Sequence, residues 1–312
     1  MNVTGTMMEK PASRSAKGWQ ALQLAARDIK LAHSVFALPF ALLAAFLAKS
    51  AQEQWGSFAG KLLLVVGCMV TARTWAMLFN RIADRDIDAR NPRTANRALS
   101  SGALSLKSAW LIALSSALVF VVFTAGFLLF WGNAWPLVLS VPVLGWIAFY
   151  SLSKRFTWAC HLLLGGALAV SPPAAALAVN PAALHSAWPW LIAAMVLCWV
   201  AGFDIIYSLQ DVAVDKRENL YSAPSRLGTG AALVFSRLLH LAAIILLFLF
   251  GKSLAAMGLL YWVAAAVAAM LLLAEHLLII TSGEKRLNMA FFTLNGIMSC
   301  LLGAAVIIDS LI

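Results

Sequence analysis

Acidic residues are scarce in this chain. Its 312 residues include 13 Asp and Glu against 23 Lys and Arg, for a net charge of +10. Charged residues of both signs make up only 12% of the sequence, roughly half of the ~25% typical of a soluble domain. Such a chain cannot cover a globule with solvated charge, which excludes an ordinary soluble enzyme or binding module. Cysteine is rare too: Cys68, Cys160, Cys198 and Cys300 all lie in or beside apolar runs, none at metal-ligand spacing from another. They read as reduced packing residues and not as a thiolate metal site. Residues 1–29 are polar and mixed, without the apolar core of a cleavable signal.

Hydrocarbon fills the rest. Hydrophobic residues account for 62% of the chain, and the mean hydropathy is +0.86. A membrane-spanning helix needs about 20 apolar residues. Nine such spans begin near Leu31, Leu62, Trp110, Leu137, His161, Trp190, Ala231, Ala255 and Met289. The pair between Leu137 and Val179 is the least regular, because Pro142, Pro172 and Pro173 interrupt it. The expected fold class is an all-α polytopic membrane protein, with residues 30–312 as one transmembrane domain. Residues 1–29 form a separate cytoplasmic segment, in which Gly18–Lys30 can lie as a short helix on the membrane surface.

Lys and Arg set the orientation. Lys49, Lys61 and Lys252 stand on one side and Arg73 lies within a span; the remaining Lys and Arg all fall on the other side. The positive-inside rule puts that richer side in the cytoplasm and the C-terminus outside. A cytoplasmic N-terminus makes the Asn2-Val3-Thr4 glycosylation pattern irrelevant. The basic balance is therefore topology, so the bilayer is an expected partner and nucleic acid is not. Trp131, Trp135, Trp188 and Trp190 flank the opposite side as an aromatic belt. His33 and the Glu275-His276 pair read as interfacial, His161 as a helix-start residue near a cavity, and Asn295, within the last span, needs a partner.

Against this scarcity, six of the 13 acids fall in two short stretches just past the ends of apolar runs on the Lys- and Arg-rich side. The first reads Met77-Leu78-Phe79-Asn80-Arg81-Ile82-Ala83-Asp84-Arg85-Asp86-Ile87-Asp88. Asn80, Asp84 and Asp88 step by four and share a helical face, while Asp86 points away. The second runs from Asp204 through Tyr207 and Asp211 to Asp215, again at helical steps. Clustered carboxylates repel unless something cationic holds them, and a divalent metal carrying a diphosphate would do so. Mg²⁺ suits oxygen ligands, a few carboxylates and substrate phosphates completing its shell. Arg73 lies seven residues before Asn80, nearly in register with it, and an intramembrane Arg faces a polar cavity or a partner.

Basic residues beside the motifs would complete a phosphate cradle. Arg81, Arg85, Arg93, Arg97, Lys154, Arg155, Lys216 and Arg226 are available, and Lys154 and Arg155 stand alone in a short loop. Turn-rich segments follow both motifs, Asn91–Arg97 with Ser100-Ser101-Gly102, and Tyr221–Gly228. Folded back over the cytoplasmic face, they would exclude water from a reactive cation. A transporter is the competing class, but its charges sit typically near the midplane at broken helices. Here the acids sit at the ends of apolar runs, on one side.

At these residues the chain resembles the UbiA superfamily of intramembrane prenyltransferases. Asn80, Asp84 and Asp88 match its first signature, N-D-x-x-D-x-x-x-D, followed by an R-T-x-x-R segment at Arg93, Thr94 and Arg97. Asp204, Tyr207, Asp211 and Asp215 match its second, D-x-x-Y-x-x-x-D-x-x-x-D. Tyr150 with Lys154-Arg155 resembles the family's tyrosine and lysine-arginine segment. Arg81 replaces the family's first aspartate and Ala98 a proline. The resemblance covers about His33 to Asn295.

The resemblance implies nine helices around a central cavity, in two pseudo-repeated halves. It implies Mg²⁺ held by Asn80, Asp84, Asp88, Asp204, Asp211 and Asp215, binding a polyprenyl diphosphate. Asp84, Asp88, Asp204, Asp211 and Tyr207 would carry the chemistry. Arg73, Arg93, Tyr150, Lys154 and Arg155 would bind substrate, Arg73 through the carboxylate of an aromatic acceptor. The Asn-Arg form, with Phe36–Phe40 and Ser222–Gly228, looks like a bacterial inner-membrane branch labelled 4-hydroxybenzoate polyprenyltransferase. Part of that branch takes 1,4-dihydroxy-6-naphthoate for menaquinone in place of the ubiquinone precursor. Both acceptors present the same charge and similar hydroxyls, so both stand at this stage. Haem-farnesylating and chlorophyll-prenylating enzymes are more distant alternatives.

Overall fold

The structure is a computed structural model that describes residues 18–29, 36–255, 257–282 and 289–312. Residues 1–17, the start of the first expected span near Leu31, His33, Lys285 and Arg286 lie outside the described residues. Among those described, the regular structure is helical, with no strand.

Fourteen α-helices follow in order. They are α1 (Trp19–Ile29), α2 (Leu38–Ala48), α3 (Trp55–Ala83), α4 (Arg85–Arg90), α5 (Leu106–Trp131), α6 (Trp135–Ser153), α7 (Cys160–Ala169), α8 (Ser171–Val179), α9 (Trp188–Tyr207), α10 (Val212–Arg217), α11 (Ala223–Leu227), α12 (Thr229–Lys252), α13 (Leu259–Ser282) and α14 (Asn295–Asp309). Eight helical segments among the described residues are long and apolar enough to span a bilayer, α7 and α8 counting as one. The first expected span appears as the shorter apolar helix α2. The chain is thus the all-α polytopic protein its composition predicts.

Local chemistry explains the boundaries. Pro39, Pro136, Pro172 and Pro189 stand in the first turns of α2, α6, α8 and α9. There the N–H a proline lacks would have no helical partner anyway. Ser105 caps α5 by accepting the Ser108 N–H, and Gly132 ends it in the left-handed region at φ 68°. Pro172 and Pro173 fall where α7 hands over to α8 at Val170, which keeps helical dihedrals, so the prolines do not divide the span.

The two halves repeat one order. A long span, α3, ends at the first acid motif, passes through short α4 and a loop, and returns as α5. Span α9 ends at the second motif, passes through α10 and α11, and returns as α12. α3 packs against α5, and α9 against α12 and α7. At 1.5 Å per residue the 29 residues of α3 reach ~44 Å, beyond a hydrocarbon core of ~30 Å. The helix is therefore longer than the hydrocarbon alone requires. Amphipathic α1 buries Ala21, Ala25 and Ile29 and leaves Trp19 and Leu22 exposed.

Two expectations need correction. Trp188 is buried in the core and not part of a belt, whereas Trp135 and Trp190 are exposed. Glu275 is not interfacial: it is 1% exposed and its Oε1 accepts a 3.2 Å hydrogen bond from Asn295 Nδ2. Asn295 Oδ1 in turn accepts the Trp199 indole N–H at 2.6 Å. That network supplies the partner Asn295 requires and ties α9, α13 and α14 together. Asn295→Ala would strand a buried indole N–H and a buried carboxyl oxygen, at about 1–3 kcal/mol for each group left unpaired. A fall in the detergent unfolding temperature is expected, and an unchanged temperature would show the network to be dispensable.

Candidate active site

The helices surround a cavity of about 1040 Å³. Leu38 of α2, Val65 and Met69 of α3, Phe120 of α5, Leu164 of α7 and Val200 of α9 form part of its apolar wall. At one end lie Asn80, Asp84, Asp88, Asp204, Tyr207, Asp211 and Asp215, so both motifs open on the same space. Leu184, which follows α8, and Trp190, in the first turn of α9, also line it. Trp190, expected in the belt, thus also lines the cavity.

The motifs are not simple helical faces. α3 stops at Ala83, and Asp84 takes φ −96°, ψ 4° between α3 and α4. The Asp84 N–H still reaches the Asn80 carbonyl at 2.9 Å, and the Asp88 N–H the Asp84 carbonyl at 2.7 Å. The periodic hydrogen bonding therefore survives a change of direction. In the second motif, Ser208–Asp211 tightens into a 3₁₀ turn between α9 and α10. With these breaks, Asp84, Asp88, Asp204, Asp211 and Asp215 all line the cavity.

Each carboxylate meets a donor from elsewhere in the chain. Lys154 Nζ lies 2.6 Å from Asp84 Oδ2 and Arg155 Nη2 3.0 Å from Oδ1. Arg155 also bonds the Ala83 carbonyl at 2.7 Å. Asp88 pairs with Arg97 at 2.6 Å and, more loosely, with Arg81 at 4.0 Å. Arg81, which stands where the family has an aspartate, thus adds a cation to the acid it would otherwise accompany. Arg93 forks onto Asp211 at 2.5 and 3.1 Å and donates to the Tyr207 hydroxyl at 3.2 Å. Burial alone would lower the Arg93 pKa, but the Asp211 charge and bonds outweigh it and hold the group above its ordinary value. Asn91 Nδ2 donates to the same Asp211 oxygen at 3.1 Å.

Asp204 Oδ2 lies 2.7 Å from His161 Nδ1, and Asp215 Oδ2 accepts the Ser222 hydroxyl at 2.6 Å. Among the described residues no three His, Cys, Asp or Glu side chains converge on one metal position. The donor set is nevertheless hard oxygen, spread along two facing motifs. It fits Mg²⁺, which is usually held by one or two carboxylates with phosphate oxygens making up the rest.

Deeper in, Arg73 and Tyr150 line the same cavity. The Arg73 Nε is buried without a hydrogen-bond partner among the described residues. Along α3 it sits ~10 Å further in than Asn80 at 1.5 Å per residue. Asp86 is exposed, as its phase predicts.

Of the residues expected at the site, all but Arg155 line the cavity, and Arg155 instead contacts Asp84 and the Ala83 carbonyl. Arg97, Asn91, His161 and Ser222 were not expected as partners of the acids. Arg97 looked like one positive-inside residue among several. The Asn91 and His161 contacts join segments far apart in sequence, and Ser222 reaches Asp215 across a turn, none of which spacing reveals.

A polytopic chain with this cavity and these paired motifs belongs to the class of intramembrane prenyltransferases, and comparison with known proteins agrees. The UbiA prenyltransferase family model matches residues 37–297, so the chain is a member of the UbiA prenyltransferase family. A 4-hydroxybenzoate octaprenyltransferase of Edwardsiella ictaluri is 33% identical over 242 residues, 76% of this chain and 79% of that protein. The apo structure of a UbiA homolog from Aeropyrum pernix K1 is 32% identical, with a TM-score of 0.78 over 89% of this chain and 98% of the other. The fold also matches a UbiA homolog from Archaeoglobus fulgidus bound to GPP and Mg²⁺, with a TM-score of 0.69 at 17% identity over 93% of this chain and all of the other.

The Arg93 fork can be tested in metal-free protein. A double-mutant cycle on Arg93→Gln and Asp211→Asn should return a coupling energy of about 1–3 kcal/mol in thermal unfolding. Simple additivity would mean that the contact contributes nothing to stability.

Proposed function

We propose that this protein transfers a polyprenyl group from polyprenyl diphosphate to 4-hydroxybenzoate, in the membrane and with Mg²⁺, as a step of ubiquinone synthesis. The observation that carries the reading is the cavity itself: two aspartate motifs at its mouth, the buried Arg73 guanidinium below them with its Nε unbonded among the described residues, and an apolar remainder. The curated relative's name and the Mg²⁺ of the Archaeoglobus homolog support the choice of acceptor and metal. The mouth faces the cytoplasm of a bacterial inner membrane on this reading, since the flanking segments hold most of the Lys and Arg. Residues 30–312 make up the transferase domain, and residues 1–29 an N-terminal segment with α1 riding at the surface.

Asn80, Asp84, Asp88, Asp204, Asp211 and Asp215 would hold the metal. When bound, Mg²⁺ neutralises charge on the diphosphate and favours its departure. Lys154, Arg93 and Arg97 already face the acids at the mouth and can exchange carboxylate for phosphate oxygen without large movement. Arg155 keeps Asp84 oriented by bonding both its carboxylate and the adjoining backbone. Tyr207, held by Arg93, lies between the second motif and the cavity, where it can position diphosphate or acceptor. The apolar wall accommodates the tail and keeps water from the allylic cation.

Arg73 can bind the acceptor's carboxylate bidentately, and Tyr150 can set the ring beside it. The allylic C–O bond breaks with its electron pair on diphosphate. A ring carbon of the phenol forms the new C–C bond and releases its proton.

Asp84→Ala and Asp211→Ala should each abolish transfer in a membrane assay while the protein still accumulates in the membrane; activity in the double variant would sink the assignment. Arg73→Leu should raise KM for the acceptor at least tenfold and leave that for the diphosphate within about threefold, since a charge-assisted pair is worth ~1.5–3 kcal/mol. Equal change in both would make Arg73 structural. Offering 4-hydroxybenzoate and 1,4-dihydroxy-6-naphthoate in parallel decides the acceptor: product from the naphthoate alone would overturn the benzoate reading.

A further inference from the structure

His161 opens α7 outside either motif. It is 4% exposed and lines the cavity. Its two ring nitrogens have different partners. Nδ1 lies 2.7 Å from Asp204 Oδ2, and Nε2 accepts the backbone N–H of Ala223 at 3.1 Å. A backbone amide can only donate, so Nε2 is the accepting nitrogen and Nδ1 is the one left to face Asp204. With both nitrogens engaged, the ring is not arranged to take a proton from a substrate.

Ala223 opens α11 and ends a Tyr221–Ala223 strap at the cavity, which Ser222 lines. Tyr221 N–H bonds the Lys154 carbonyl at 2.7 Å, and the Cys160 thiol bonds the Tyr221 carbonyl at 3.2 Å. Ser222, beside Ala223, donates its hydroxyl to Asp215. The strap thus touches the second motif at Asp215 directly and at Asp204 through the imidazole. Lys154, whose carbonyl anchors the strap, also pairs with Asp84 of the first motif.

We infer that His161 is a positioning residue: it fixes the orientation of Asp204 and couples that carboxylate to the seating of the Tyr221–Ala223 strap. The inference rests on the proposed role of Asp204 toward Mg²⁺. A hydrogen-bonded partner behind a ligating carboxylate holds its orientation and charge, and loss of such partners typically costs ~10–100-fold in metal affinity.

Three variants separate the two bonds. His161→Leu removes both. In His161→Asn the amide nitrogen stands near the place of Nδ1 and keeps the bond to Asp204. In His161→Gln the amide oxygen stands near the place of Nε2 and keeps the bond from Ala223. Two measurements are made on full-length protein in detergent: the Mg²⁺ concentration for half-maximal binding of geranyl diphosphate, and hydrogen exchange at the Ala223 amide without ligand. His161→Leu should raise the Mg²⁺ requirement at least ~10-fold and speed Ala223 exchange, while α5 amides stay protected. His161→Asn should restore the Mg²⁺ requirement but not the protection, and His161→Gln the protection but not the requirement. Wild-type Mg²⁺ dependence in His161→Leu, or no recovery in a folded His161→Asn, overturns the inference. Should the wild-type protein bind no diphosphate at all, the proposed function fails instead, and the exchange experiment still tests whether His161 holds the strap.

Discussion

Five carboxylates at the mouth of a low-dielectric cavity cannot share that space uncompensated, and much of the local structure answers this constraint. Asp84 is 2% exposed and Asp88 6% exposed, so neither is well solvated. Removing a charge from water costs several kcal/mol unless a partner and further hydrogen bonds offset it. Lys154, Arg155, Arg97, Arg93, His161 and Ser222 supply those contacts. Each comes from a segment other than the stretch of motif it serves. Satisfying the acids therefore dictates where the loops after the motifs must lie.

The same contacts join the halves of the molecule. Arg93 follows the first motif but pairs with Asp211 of the second, and Asn91 does likewise. Arg90 of α4 pairs with Glu218 just after α10 at 2.6 Å, and the hydrogen bond holds that carboxyl below its usual pKa. Arg217 bonds the Arg90 carbonyl at 2.8 Å. The segments that follow the two motifs are thus joined across the mouth by ion pairs and hydrogen bonds. The inner pairs are partly shielded from solvent, while Arg90 is exposed and its pair correspondingly weaker.

Much of this was legible in the sequence, for identifiable reasons. Apolar runs of span length allow only helices in lipid, because every backbone group must be satisfied within its segment. Acid scarcity made six clustered acids conspicuous. What the sequence could not disclose was which side chains meet, across turns and between distant segments. Arg97 is indistinguishable by composition from a topological arginine until Asp88 is seen beside it. Glu275 lay close enough to the end of a span to read as interfacial, and only the positions of Trp199 and Asn295 reveal that it faces inward. The turn at Asp84 was also hidden, since nothing in Ile82-Ala83-Asp84-Arg85 is a strong helix breaker.

Asn80 and Arg73 stand on one uninterrupted helix, and a helix does not stretch. On the reading proposed above, the anchor for the acceptor and the anchor for the leaving group are held ~10 Å apart along a rigid rod. Choice of acceptor then becomes a question of reach. A single ring and a fused pair place their nucleophilic carbons at different distances from the carboxylate, and only one of these can match a fixed gauge.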